Sequence, residues 1–308
     1  IVAFSKVLTE SNTTHKSVPM LMSDITACNF DSIYHQKGII TAFKEAGYQT
    51  AFFSNQRYNH SFIDFFGKEA DTFDFIKEDS LDSAYNPSDD ELLALVAKEL
   101  SKGNQKQFIV LHTYGSHFNY RERYPSEDAF FLPDYPVEAE VKYRDNLVNA
   151  YDNTIRYTDS FLSRLIQMLE EQHVDAAMLY TSDHGEDIFD DSRHLFLHAS
   201  PVPSYYQLHV PFLIWMSDTY REAYPEHWQT VTKNKDKDLS SSRSFFPTML
   251  ELGGVQTSYR NDSSSVVSPL YTMKPRVYLN DHNEPRPLDD LGMKQPDFQK
   301  CQVLGIKY

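Results

Sequence analysis

Residues 176–186 read Ala-Ala-Met-Leu-Tyr-Thr-Ser-Asp-His-Gly-Glu. The first five form an apolar run of strand length, which reads as a strand buried on both faces. The run ends abruptly in polar groups. Ahead of it, Leu147, Tyr151, Ile155, Thr158, Leu162, Leu165 and Leu169 step by three and four, the stripe of a long amphipathic helix. Behind it, Phe212–Met216 reads as another buried strand. Further out, His35–Ala46 has helical spacing and ends at Gly47, a C-cap, and Tyr48–Phe53 follows as a β-rich run. Ser88-Asp89-Asp90-Glu91 has the form of a capping box opening a helix to Leu100. Gly103-Asn104 breaks that helix before the strand Phe108–Leu111. Ser240–Leu252 is helical and stops at Gly253-Gly254. Strand and helix alternate, which predicts an α/β fold with a mostly parallel central sheet sandwiched between helices. Ligands then belong at the carboxyl ends of the strands. Neither an internal repeat nor a flexible linker interrupts the pattern, so residues 1–308 read as one domain.

Residues 118–138, rich in Pro, Asp and aromatics, read as a surface excursion. Lys233–Asp238 reads as a solvated charged loop, and the Pro-rich tail from Tyr259 as a wrap around the surface. The chain has 308 residues, 41% of them apolar, enough for a folded core. Its formal charge is −15, which excludes a nucleic-acid backbone as the main partner. An anionic ligand would need a local cation, usually a metal. The two cysteines, Cys28 and Cys301, form neither a disulfide framework nor a thiolate zinc site, and no bridge between them is expected. No apolar run approaches the ~18 residues of a membrane span. The chain begins at Ile1 inside an apparent strand, so a piece of a longer protein is expected.

The polar strand ends carry the candidate chemistry. Asp183 and His184, just past a buried strand, can both reach one divalent cation, and zinc accepts oxygen and nitrogen together. The competing reading has Asp183 capping the next element and His184 merely exposed. Phe108–Leu111 runs into His112-Thr113-Tyr114-Gly115-Ser116-His117; His112 suits a core position and His117 a chemical one. His194, His198 and His209 form a third group. Histidines gathered at strand ends raise the case for a metal or phosphate site. A nucleophile is to be sought in Asn12-Thr13-Thr14-His15-Lys16-Ser17-Val18-Pro19, where Thr13, Thr14 and Ser17 all remain open.

With these blocks in view, the sequence resembles the catalytic domain of the phosphoethanolamine transferases of Gram-negative bacteria, in the alkaline phosphatase–sulfatase superfamily. The resemblance runs in order through Thr14-His15-Lys16-Ser17-Val18-Pro19 with Met22-Ser23, Ala46-Gly47-Tyr48 and Ser54-Asn55-Gln56. It continues through His112–His117 with Arg123-Tyr124-Pro125, Asn149–Thr154 with Thr158-Asp159, Ser182–Glu186, Leu197-His198 and Gln207 with His209-Val210-Pro211. It implies an alkaline phosphatase-like (sulfatase-like) fold. It implies Thr14 as nucleophile and metal contact, Asp183 and His184 as ligands of a catalytic Zn2+, and a possible second zinc. It implies His117, His198 and, less firmly, His209 near the phosphate, with His198 or His117 as base. Lys16 is a further substrate-binding candidate, although an exposed lysine is its simpler reading. Ala199 stands where the family usually has glycine.

The implied reaction takes phosphoethanolamine from phosphatidylethanolamine, through a covalent threonine intermediate, to lipid A or the lipopolysaccharide core. The family also draws a glutamate ligand from a strand ahead of the threonine and has an N-terminal membrane domain. Both are expected upstream of Ile1, which implies an inner-membrane protein with its catalytic domain in the periplasm. The alternatives are a sulfatase, a glycerol-phosphate transferase of the lipoteichoic acid type, and a non-catalytic binding relative. Ser17-Val18-Pro19-Met20-Leu21 lacks the arginine of the sulfatase formylglycine motif. The absent glutamate alone supports a non-catalytic relative.

Overall fold

A computed structural model describes residues 1–77, 86–103 and 106–308; Asn104 of the Gly103-Asn104 break lies outside them. In chain order the main elements are β1 (Val2–Phe4), α1 (Thr14–Leu21), α2 (Ile39–Glu45), β2 (Gln49–Ser54) and β3 (Thr72–Phe75). There follow α3 (Glu91–Leu100), β4 (Gln107–His112), α4 (Arg144–Glu170), β5 (Ala177–Thr181) and β6 (Phe212–Met216). The last are α5 (Pro225–Asn234), α6 (Ser241–Leu252), β7 (Val277–Leu279), β8 (Pro285–Pro287) and α7 (Gln295–Leu304). The expected strands and helices all form, within a few residues of their predicted ends. Gly47 caps α2 at φ +84°, a conformation that glycine adopts without steric cost.

The chain divides into two compact units. The first comprises Ile1–Gly47, His173–Glu186 and His198–Tyr308; the second comprises Tyr48–Gln172 and Asp187–Leu197. In the second unit β2 lies between β3 and β4, parallel to both, with Ser54 opposite His112 at the carboxyl end. The first unit has the order β1-β6-β5, and its central strand runs antiparallel to both neighbours. The α/β class therefore holds: the second unit's sheet is parallel, and the first unit adds a two-residue parallel ladder between Val7-Leu8 and Leu239-Ser240. Phe4, Phe212, Ile214 and Met216 pack with Val231 and Leu252 to make the first unit's core.

Helix α4 spans 27 residues, and its buried face takes in Leu147, Leu162 and Leu165 of the expected stripe but departs from it at Ile155. Leu147, Ala150, Thr154, Tyr157, Phe161 and Leu165 are buried, while Ile155 is 49% exposed. Each step of four overshoots a full turn by about 40°, so two in succession, 147 to 151 to 155, leave the face. The capping box at the start of α3 does not form either. Asp90 is the N-cap without a side-chain cap bond. The Asp89 carboxylate instead accepts Asn55 Nδ2 at 2.8 Å and the Tyr114 and Gly115 N–H groups at 2.7 and 2.9 Å. It thereby orders the loop after β4. The excursion at 118–138 is pinned by buried Tyr120 and Tyr124 and exposes Phe130, Leu132 and Tyr135.

Two tail readings are corrected. Lys233, Lys235, Asp236 and Lys237 are exposed as expected, but Asp238 is buried. It pairs with Arg276 at 3.1 Å, the two side chains being 7% and 6% exposed. Arg276 also donates to the carbonyls of Lys6, Leu239 and Lys307. The tail is also more than a surface wrap. Tyr278, Leu288 and Cys301 join Leu8 and Leu208 in a buried cluster. Cys28 is exposed, and both cysteines are free. Removing one member of a buried pair strands the other charge, so Arg276→Met should cost about 3–5 kcal/mol. Urea denaturation measures it; a loss below about 1 kcal/mol would show that Asp238 is solvated after all.

Candidate active site

Strand β5 ends at Thr181, and the chain turns through Ser182 into Asp183-His184-Gly185. Gly185 is required by close packing. A Cβ there would lie 2.1 Å from the Tyr206 carbonyl oxygen, and the Gly185 N–H donates to the Gln207 carbonyl at 2.9 Å. That anchor fixes the two preceding side chains. His184 Nδ1 lies 2.9 Å from the Gly185 carbonyl, which only accepts, so Nδ1 carries the proton. In the neutral ring Nε2 then presents its lone pair. It faces Thr14 Oγ1 at 3.0 Å and Asp183 Oδ2 at 3.4 Å.

Thr14 is the first residue of α1, with extended Thr13 as N-cap. The three hydroxyls left open by the sequence separate here. Thr13 Oγ1 bonds Ser11 Oγ and Ser17 Oγ donates to the Ser11 carbonyl, both buried. The Thr14 hydroxyl is the one that meets His184. His198 stacks on His184 with ring centroids 4.0 Å apart and an interplanar angle of 35°. Its Nδ1 lies 3.0 Å from Glu186 Oε1, whose side chain is 7% exposed. Residues 187–197 leave and return between these two partners. Glu186 was not among the sequence candidates, although it stands two residues after His184. Its role depends on that return of the chain, which no local pattern announces.

The remaining candidates have partners of their own. Lys16 is buried rather than exposed, and its Nζ donates to the Asn280 carbonyl at 2.7 Å. Burial is also the main cause that lowers its pKa. His209 stacks on Tyr205 and commits Nε2 to the Ser5 carbonyl at 2.9 Å. Burial lowers its pKa, which keeps the ring neutral and donating. His117 belongs to the second unit, exposed, with its ring 4.8 Å from Tyr114 and Nδ1 on the Phe118 carbonyl.

Among the described residues no cluster of three or more His, Cys, Asp or Glu gathers around a metal position. The oxygen groups that meet at His184 Nε2 are the Asp183 carboxylate and the Thr14 hydroxyl. Adjacent ligands on a zinc tetrahedron with bonds near 2.0–2.1 Å lie about 3.3 Å apart. The separations of 3.0 and 3.4 Å about His184 Nε2 fit that edge. The Nδ1–H bond to a backbone carbonyl is the usual device that fixes a metal-binding histidine. The residues therefore fit zinc.

A sequence model of the sulfatase family matches residues 1–255. The chain belongs to the sulfatase family. Phosphoethanolamine transferase EptA of Salmonella typhimurium is 28% identical over 278 residues, 87% of this chain and 50% of EptA. The Kdo(2)-lipid A phosphoethanolamine 7''-transferase of Escherichia coli is 36% identical over 159 residues, 50% of this chain and 27% of that enzyme. The chain thus spans half or less of the length of these curated relatives. The C-terminal periplasmic domain of EcEptC from Escherichia coli, in complex with zinc, has the same fold. The TM-score is 0.84 at 23% identity, covering 94% of this chain and 82% of that one. The sulfatase-family domain, the α/β class and the likeness to phosphoethanolamine transferases expected from the sequence are all borne out.

Proposed function

We propose that residues 1–308 are the catalytic domain of a membrane-anchored phosphoethanolamine transferase, working in the periplasm of a Gram-negative bacterium. One observation carries the reading: the Thr14 hydroxyl stands 3.0 Å from the bare Nε2 of His184, beside the Asp183 carboxylate. The names of the relatives supply the group transferred, and one of them names Kdo(2)-lipid A; lipid A or the lipopolysaccharide core is the acceptor in this reading. Asp183, His184 and the Thr14 oxygen would hold Zn2+, with an upstream glutamate completing the set. The ion supplies positive charge that lowers the hydroxyl pKa and offsets charge on the phosphoryl oxygens.

Thr14, held at the N-terminus of α1, gives its hydroxyl proton to Nε2 of His198, since the His184 Nε2 lone pair would be taken up by the ion. Its oxygen bonds the phosphorus of phosphatidylethanolamine as the phosphorus–oxygen bond to diacylglycerol breaks. The Lys16 and Ser17 N–H groups of α1 are bonded to the Thr13 carbonyl, so the Thr14 and His15 N–H groups are the ones that would meet a phosphoryl oxygen. His198, its Nδ1–H oriented by Glu186, uses Nε2 to protonate the departing diacylglycerol oxygen. The same nitrogen then takes a proton from the acceptor as the acceptor oxygen displaces Thr14. A sulfatase reading gains nothing from this geometry, since a threonine, which cannot become formylglycine, holds the nucleophile position.

Lipid and lipopolysaccharide mass spectrometry on cells with and without the intact gene tests the proposal. The expected result is a gene-dependent phosphoethanolamine mass on lipid A or core. An unchanged lipopolysaccharide profile with the protein present would overturn it.

A further inference from the structure

Strand β7 and the residue after it reach the nucleophile loop from the far end of the chain. The Tyr278 hydroxyl donates to Asn12 Oδ1 at 2.6 Å. The Leu279 N–H donates to the Glu10 carbonyl at 2.8 Å, and the Asn280 carbonyl accepts Lys16 Nζ at 2.7 Å. These bonds fall on both sides of Thr14. The other end of the Asn12 amide holds the segment that carries His198. Asn12 Nδ2 donates to Gln207 Oε1 at 2.6 Å and to the Ser200 carbonyl at 3.0 Å. The Asn12 carbonyl accepts the Ala199 N–H at 3.2 Å.

That segment needs holding. Leu197 and Ala199, on either side of His198, have φ of +64° and +62°, the left-handed region that side chains disfavour. Asn12 grips the turn from both Ala199 and Ser200. Tyr278, Asn12 and Gln207 are each 1% exposed or less, so their bonds face no competition from water. Burial also pushes the Tyr278 phenol above its ordinary pKa, so it stays a donor. Every polar atom of the Asn12 amide is engaged.

We infer that Tyr278 and Asn12 are positioning residues for the transfer, Tyr278 fixing the Asn12 amide, which in turn sets Thr14 against the His198 turn. The inference rests on the function proposed above. Its test is Tyr278→Phe in the full-length protein, with single-turnover formation of the Thr14 adduct from phosphatidylethanolamine followed by intact mass. The ring stays, and only the hydroxyl leaves. At saturating donor the rate should fall on the order of tenfold, short of the ~100-fold that a 1 Å misplacement costs. The half-saturating donor concentration should stay within about twofold, because no donor contact is lost. Asn12→Ala should cost at least as much, and adding Tyr278→Phe to it should cost nothing further.

An unchanged rate overturns the inference, as does a raised half-saturation at constant rate, which would assign Tyr278 to donor binding. Additive losses in the double variant overturn the route through Asn12. Thermal melts report whether each variant is folded, and Asn12→Ala alone carries the same rate criterion if Tyr278→Phe does not fold. Wild-type protein that forms no adduct overturns the proposed function and this inference with it. An adduct formed equally fast by wild type and Tyr278→Phe overturns the inference alone.

Discussion

Thr14→Ala should abolish the phosphoethanolamine adduct and lower transfer by on the order of 10⁴-fold or more, the scale on which loss of a covalent nucleophile falls. The size follows from the geometry. Thr14 Oγ1 is the hydroxyl of its loop that faces His184, at 3.0 Å. Ser17 and Thr13 are spent on the Ser11 carbonyl and hydroxyl, buried and turned from that imidazole. Neither can substitute without unmaking the turn that starts α1. Intact-mass spectrometry after incubation with phosphatidylethanolamine should show the added mass on wild type and none on the variant. An adduct retained by Thr14→Ala would place the nucleophile elsewhere. Thr13→Val and Ser17→Ala should each keep the adduct, which separates loss of the nucleophile from damage to the loop.

The sequence announced what depends on neighbours along the chain. Asp183-His184-Gly185 was visible because the strand ahead of it is a continuous apolar run that ends abruptly in polar groups. The resemblance then singled out Thr14, which spacing alone could not. What stayed hidden depends on partners far apart. Asp238 reads as one more charge in an exposed run until Arg276, thirty-eight residues on, is placed against it at 3.1 Å. Lys16 reads as a surface lysine until the Asn280 carbonyl arrives. Asp89 looks like part of a capping box, but two backbone N–H groups from the loop after β4 claim its carboxylate. The α4 stripe holds at Leu147, Leu162 and Leu165 and fails at Ile155, where two successive steps of four carry the side chain off the buried face. In each case the residue type was informative and the register or the partner was not.

His184→Ala should strip the protein of zinc and lower transfer on the order of 10³-fold, near the upper range for one charge-stabilising group at a reacting centre. The imidazole is where the arrangement converges. Its Nδ1–H is fixed on the Gly185 carbonyl, and Nε2 looks at both Thr14 Oγ1 and Asp183 Oδ2. Alanine removes the shared neighbour while leaving the Gly185 anchor, which is backbone to backbone, in place. Elemental analysis of purified full-length protein gives the metal content, and adduct formation gives the activity. His209→Ala is the matched comparison. Its Nε2–H is committed to the Ser5 carbonyl and its ring stacks on Tyr205, so it takes no part in the meeting of Thr14, His184 and Asp183. That variant should keep its zinc, whatever it loses in packing. Zinc kept by His184→Ala and lost by His209→Ala would reverse the assignment, and would mean that the bare nitrogen beside Thr14 serves as a proton acceptor rather than as a ligand.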